Sequence, residues 1–159
     1  MLTVYLTCGL PGAGKSTWSH KKAQTDSTVV ILCKDAFRNM IKGEYIFNTL
    51  YEPMINALTE GSIYSILDSG FDLIIDETNL NPEMRTKWLR VVEDTEIETR
   101  KVCIWLTETK ANLENRMKDA RGYDAEKWTE VIERMRDKFI PPTLDEGFDE
   151  IIQMPMGSF

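Results

Sequence analysis

Histidine is nearly missing from this chain: there is one in 159 residues, His20, beside Trp18 on the stretch that follows a glycine-rich loop, where a structural role is expected and not a catalytic one. Cysteine is scarce too. Cys8, Cys33 and Cys103 each fall in an apolar, strand-like run without C-x-x-C spacing, so they are expected to be reduced core residues, neither metal ligands nor disulfides. No apolar run reaches membrane-spanning length, and the N-terminus runs directly into a strand. Neither a signal peptide nor an anchor is expected, no membrane is a partner, and the expected compartment is the cytoplasm. Positive charge is in deficit, with 19 Lys and Arg against 26 Asp and Glu for a net charge of −7. That balance argues against broad binding to duplex nucleic acid. Its distribution is uneven: residues 1–42 hold six basic and two acidic side chains, residues 122–159 four basic and nine acidic. A local positive site on an acidic body suits an enzyme that grips a few phosphates.

What the chain does have is a cluster of glycines. Residues 7–17 read TCGLPGAGKST, and glycines in such numbers mark backbone that takes unusual angles or is closely approached. Gly9, four residues, then Gly14, Lys15 and Ser16 fit the P-loop pattern G-x-x-x-x-G-K-S/T. A chance match in a chain of this length is on the order of one per cent from average residue frequencies. In such a loop successive backbone N–H groups wrap a polyphosphate. Gly9, Pro11, Gly12, Ala13, Gly14, Lys15, Ser16 and Thr17 are therefore the expected nucleotide-binding residues. Lys15 would reach the β and γ phosphates, Ser16 would place its hydroxyl on Mg²⁺, and the helix starting near Lys15 would aim its positive end at the anion. The motif indicates nucleoside triphosphate binding and leaves the acceptor open.

Five short apolar runs stand out as strands: LTVYLTC (2–8), VVILC (29–33), DLIID (72–76), KVCIWLT (101–107) and DEIIQM (149–154). Each is separated from the next by a stretch able to hold a helix, and the runs are apolar along most of their length, as in parallel sheets covered on both faces. The expectation is one α/β domain over residues 1–159. NPEMRTKWLRVVED shows a helix start, with Asn81 as N-cap, Pro82 at the first position and Glu83 in the first turn. A second helix, MINALTEGSIYSILDSG, is expected to end at Gly70.

In open parallel sheets ligands sit beyond the carboxyl ends of the strands. Asp76 directly follows the third apolar run, in the position of an acid that holds Mg²⁺, and Glu77 beside it should point the other way by strand alternation. After the second run comes KDAFR. If it is helical, Asp35 and Arg38 lie one turn apart on one face. Asp35 can then accept the proton of an attacking hydroxyl while Arg38 holds an acceptor phosphate. Equally, Asp35 can be a helix cap paired with Arg38 at the surface.

LTCGLPGAGKSTW, KDAFR, DETNLNPEMR and ENRMKDARGYD resemble, in order and spacing, the kinase domain of the phage-type polynucleotide 5′-kinases, over nearly the whole chain and least over residues 43–68. The resemblance implies a P-loop kinase fold, a parallel sheet of about five strands with helices on both faces and a helical lid. It implies that Asp35 is the general base on the 5′-hydroxyl, that Arg38 contacts the acceptor's 3′-phosphate and that Arg121, on the lid, contacts the donor phosphates. Arg116 is a second lid candidate, or else a solvated helix charge beside Glu114 and Lys118. Members of the family often carry an acid immediately before TN, so Asp76 and Glu77 compete for the metal. The best-known relatives continue into a phosphatase domain opened by D-x-D-G-T, a pattern without a counterpart here, which implies a stand-alone kinase.

The leading expectation is transfer of the γ-phosphate from ATP·Mg²⁺ to 5′-hydroxyl ends of DNA or RNA, with no obligate protein partner. A small-molecule P-loop kinase acting on a nucleoside, nucleotide or metabolite is the alternative. A nucleotide-gated switch would need a water-orienting group and a partner surface in place of Asp35 and Arg38.

Overall fold

The computed structural model describes residues 1–155 and 157–159. Five strands, β1 (Leu2–Cys8), β2 (Val29–Leu32), β3 (Asp72–Ile75), β4 (Thr99–Thr107) and β5 (Glu150–Pro155), form one sheet in the order β2-β3-β1-β4-β5. Every pairing is parallel. Six helices connect and cover the strands: α1 (Lys15–Thr25), α2 (Lys34–Lys42), α3 (Glu52–Asp68), α4 (Pro82–Glu93), α5 (Asn112–Met117) and α6 (Ala125–Asp137). This is the α/β P-loop kinase-like fold, with the five-strand parallel sheet expected from the apolar runs.

The sheet alternates as a two-sided strand layer must. Leu73 and Ile75 pack with Val4, Leu6 and Cys103 against Ile63 and Leu67 of α3 and Trp88, Leu89 and Val92 of α4. Ile74, Val102, Ile104 and Leu106 pack on the other side with Trp18 of α1. A third cluster, Leu10, Leu80 and Ile132, seats α6 beside the loop after β1. Cys8 and Cys103 are buried in the sheet and Cys33 is half-buried, all three free. Among the described residues no helix is long and apolar enough to cross a membrane.

Strand ends differ from the apolar runs by a residue or two. Cys33 has extended backbone but is the N-cap of α2, and Asp76 lies one residue past β3. β4 starts at Thr99 because it pairs with β1 from Leu2 to Cys8, so its first residues are set by a partner.

Candidate active site

β1 lies at the middle of the sheet, and the loop that leaves its carboxyl end is pinned at both flanks. Gly9 N donates to Thr78 O (2.9 Å) on the β3 side, and Asn112 Nδ2 donates to Pro11 O (3.2 Å) on the α5 side. Gly9, Gly12 and Gly14 all have positive φ (151°, 77° and 96°). The close approach that the glycines signal is partly internal: a Cβ on Gly9 would sit 2.5 Å from Leu106 O, and one on Gly12 would overlap Asn112 O. Gly14 is the left-handed N-cap of α1 and offers no side-chain acceptor to the first-turn N–H groups, which suits an external anion. Pro11 and Ala13 are buried beneath the loop, whereas Ser16 and Thr17 are exposed on the first turn of α1.

Lys15 Nζ donates to Gly9 O (3.0 Å) and Leu10 O (2.8 Å). Burial brings its pKa down to about 8, against the pull of Asp76, Cys8 and Glu77, and the charge of Arg116 adds to the lowering. A cation so placed is short of anionic partners.

The two adjacent acids part company. Asp76 is buried, its Oδ1 3.3 Å from Thr7 Oγ1; burial raises its pKa, while the Ser16 hydroxyl and the Lys15 charge hold it down. Glu77 turns toward α2, where its Oε1 accepts from Lys34 N (2.8 Å), and burial pushes its pKa up to about 7. Asp76 is therefore the acid that neighbours Ser16. A Mg²⁺ already bound by phosphate oxygens needs only one or two protein oxygens, and a hydroxyl beside a carboxylate fits that demand. Among the described residues no group of three or more His, Cys, Asp or Glu could hold a metal ion unaided.

Asp35 lies in the first turn of α2 but does not cap it, since Cys33 occupies the cap position. Its two oxygens serve two arginines. Oδ1 accepts from Arg38 Nη1 and Oδ2 from Arg121 Nη1, each at 2.6 Å. Arg38 also directs Nε and Nη2 at the two oxygens of Glu52 (2.9 and 2.8 Å). Against the downward effect of burial, bonds to carboxylates hold both guanidiniums above the ordinary arginine range, Glu52 and Asp35 acting on Arg38 and Asp35 on Arg121.

Arg121 has left-handed backbone (φ 50°) followed by Gly122 (φ 81°), a turn that delivers its side chain from the α5–α6 segment to Asp35. Its guanidinium carbon lies 4.5 Å from the centroid of the Tyr45 ring. Arg116, in contrast, is folded onto Asp119 and over the Trp128 ring at 4.8 Å. Asp35, Arg38 and Arg121 are thus brought together, and Arg116 is tied to Arg121 through Asp119 Oδ2, which accepts from both (2.7 and 3.2 Å).

Two features went unseen in the sequence. Glu52, which anchors Arg38, lies fourteen residues from it in the stretch with least resemblance. Arg85, inside DETNLNPEMR, is wholly buried, bonding Glu146 through Nε and Nη2 (2.6 and 2.7 Å) and Asn79 O through Nη1 (3.0 Å). Asn79 in turn donates to Thr7 O (2.7 Å), and Asn81 caps α4 by accepting from Met84 N. Most of that motif therefore builds the scaffold under the loop.

A family described as an AAA domain, AAA_33, matches residues 4–142. The chain belongs to this family. It is 29% identical over 145 residues to the L-seryl-tRNA(Sec) kinase of Methanococcus maripaludis, an alignment covering 89% of this chain and 54% of that one. The fold is similar to that of a chain in the Pnkp1/Rnl/Hen1 RNA repair complex (TM-score 0.67, 21% identity, 90% of this chain and 49% of that chain). It is also similar to that of the Mycobacterium tuberculosis APS kinase CysC (TM-score 0.62, 16% identity, 96% and 88%). This AAA-family chain thus spans about half the length of the tRNA kinase and of the repair-complex chain it matches.

Proposed function

We propose that the protein is a phosphotransferase that moves the γ-phosphoryl group of ATP to the 5′-hydroxyl of DNA or RNA ends, with residues 1–159 acting as one kinase domain. The observation that carries this reading is Asp35 shared between Arg38 on the sheet side and Arg121 on the α5–α6 side. When an acceptor phosphate and a donor phosphate take up the arginines on either side, the carboxylate between them is freed to take the proton of an attacking hydroxyl. The loop amides of Gly12 and Gly14, with Lys15, bind the donor polyphosphate, Gly9 N and Ala13 N being used to hold the loop itself, with Gly9, Pro11, Ala13 and Thr17 in the wall and Arg116 and Arg121 closing over it. Ser16 and Asp76 would hold Mg²⁺, which would supply charge neutralisation on the phosphates. The acceptor oxygen bonds to phosphorus as the bond to ADP breaks, and its proton passes to Asp35.

Acceptor preference tests this reading with labelled ATP. A nucleoside 3′-monophosphate is expected to be a far better acceptor than the same nucleoside, and Arg38→Ala is expected to erase most of that difference. A charge-assisted contact of this kind contributes roughly 1.5 to 3 kcal/mol, about ten- to a hundredfold. Equal use of the two acceptors would leave Arg38 without a phosphate to hold and would put a small-molecule kinase, consistent with the acidic net charge, in its place.

A further inference from the structure

The segment between α2 and α3 hangs over the Asp35 knot, and it does so with aromatic rings. Tyr45 faces the Arg121 guanidinium, and the Arg38 guanidinium carbon lies 5.4 Å from the centroid of the Phe47 ring. Tyr45 is half-buried. Phe47 is 62% exposed, an unfavourable position for a large apolar ring unless something covers it.

The ring nonetheless rests against a fixed group. Arg38, against which it rests, is fixed by a two-point bond to Glu52 and a third bond to Asp35. The loop itself is closed just beyond Phe47 by Leu50 N donating to Asn48 Oδ1 (2.9 Å) and Tyr51 N donating to Asn48 O (2.9 Å). One side of the ring meets a guanidinium that the proposed reaction assigns to the acceptor's 3′-phosphate. A terminal nucleotide with its 5′-oxygen at Asp35 and its 3′-phosphate at Arg38 carries its base on the same sugar, within reach of the neighbouring ring.

We infer that Phe47 is the stacking surface for the terminal nucleobase of the acceptor, whatever that base is. The inference rests on the 5′-end kinase reading and goes beyond it by naming the contact that selects the substrate. Stacking on an aromatic ring suits any base because each presents a π-face, and an adjacent arginine strengthens it. A hydrogen-bonding pocket would instead choose among bases.

The test compares a nucleoside 3′-monophosphate with 1-deoxyribose 3-phosphate, which keeps the sugar and phosphate and lacks the base. Wild type is expected to favour the base-bearing acceptor in kcat/KM by about five- to a hundredfold. Phe47→Ala should remove most of that preference through acceptor KM, with the KM for ATP unchanged, and Phe47→Trp should retain it. In a binding experiment without turnover, an oligonucleotide with 2-aminopurine at its 5′ end should lose fluorescence on wild type and Phe47→Trp but not on Phe47→Ala. Equal use of the two acceptors by wild type would overturn the stacking inference and leave the kinase reading standing. Phosphorylation of neither would sink the kinase reading itself. If Phe47→Ala keeps the base preference but dissociates a dimer seen for wild type by sedimentation, the ring belongs to a protein interface and the inference is wrong.

Discussion

An ammonium group held by two main-chain carbonyls and shielded from water gives up part of its basicity, and in Lys15 the consequence falls near neutral pH. Its pKa of about 8 is set first by burial, which the opposing charges of Asp76, Cys8 and Glu77 offset only in part. A polyphosphate binds the protonated form, so ATP affinity should be level below pH 7 and should fall as pH rises through 8, by up to tenfold per unit. Lys15→Arg, which keeps its charge throughout this range, should bind with no inflection there; calorimetric titration with ATP between pH 6.5 and 9.5 distinguishes the two. The stability effect has the opposite sense. The unfolded lysine keeps its proton up to about 10.5, so between pH 8 and 10.5 the unfolded state binds more protons, and this one group makes the fold more stable as pH rises. The presence of Lys15 in the site was legible because the P-loop is a local pattern. Its depressed basicity was not, because that depends on the acids and backbone that folding places around it.

At the scale of the element, α4 shows how local and non-local information mix in one helix. Asn81, Pro82 and Glu83 mark its start by chemistry that acts within one turn, and Asn81 does cap it. The same helix buries Arg85, Trp88, Leu89 and Val92 on one stripe, so a charged residue lies on its core face. Its partner, Glu146, is 61 residues away on a short 3-10 turn at Leu144–Glu146, and no spacing rule connects the two. Removing one member of a buried ion pair leaves the other uncompensated at a cost of about 3 to 5 kcal/mol. Arg85→Ala should therefore lower Tm by roughly 10 °C or more at this chain length. It should also loosen Asn79 and Thr7 beneath the loop, which amide exchange of residues 7–16 would register. A loss of only a degree or two would mean that Arg85 and Glu146 are not the tie between α4 and the turn.

Across the whole molecule, a long-range bond at the candidate site runs from Arg121 to Asp35, residues 86 apart in sequence. It joins α2, on the sheet, to the turn between α5 and α6. Asp35→Asn keeps the size of the side chain but removes the charge that both arginines share and the group proposed to accept the proton. A fall in kcat of about 10² to 10⁴ is expected, with ATP binding retained and amide exchange in residues 112–124 faster than in wild type. Undiminished kcat would assign the proton to another group.

Short apolar runs located the five strands, and the glycine pattern with Lys15 and Ser16 located the candidate phosphate-binding loop, because both signals act over a few residues. The sequence alone also put Asp35 one helical turn from Arg38. It left Asp35 divided between cap and site, and the metal divided between Asp76 and Glu77. Tertiary structure decided the local geometry of both: Cys33 takes the cap, Arg121 arrives from the far end of the chain, and Asp76 faces Ser16 while Glu77 turns to Lys34. It also supplied Glu52, Tyr45 and Phe47, from the stretch where the sequence says least. Such contacts depend on which segments the sheet order makes neighbours, and a charge or a ring carries no mark in sequence of a partner that only chain crossover brings within reach.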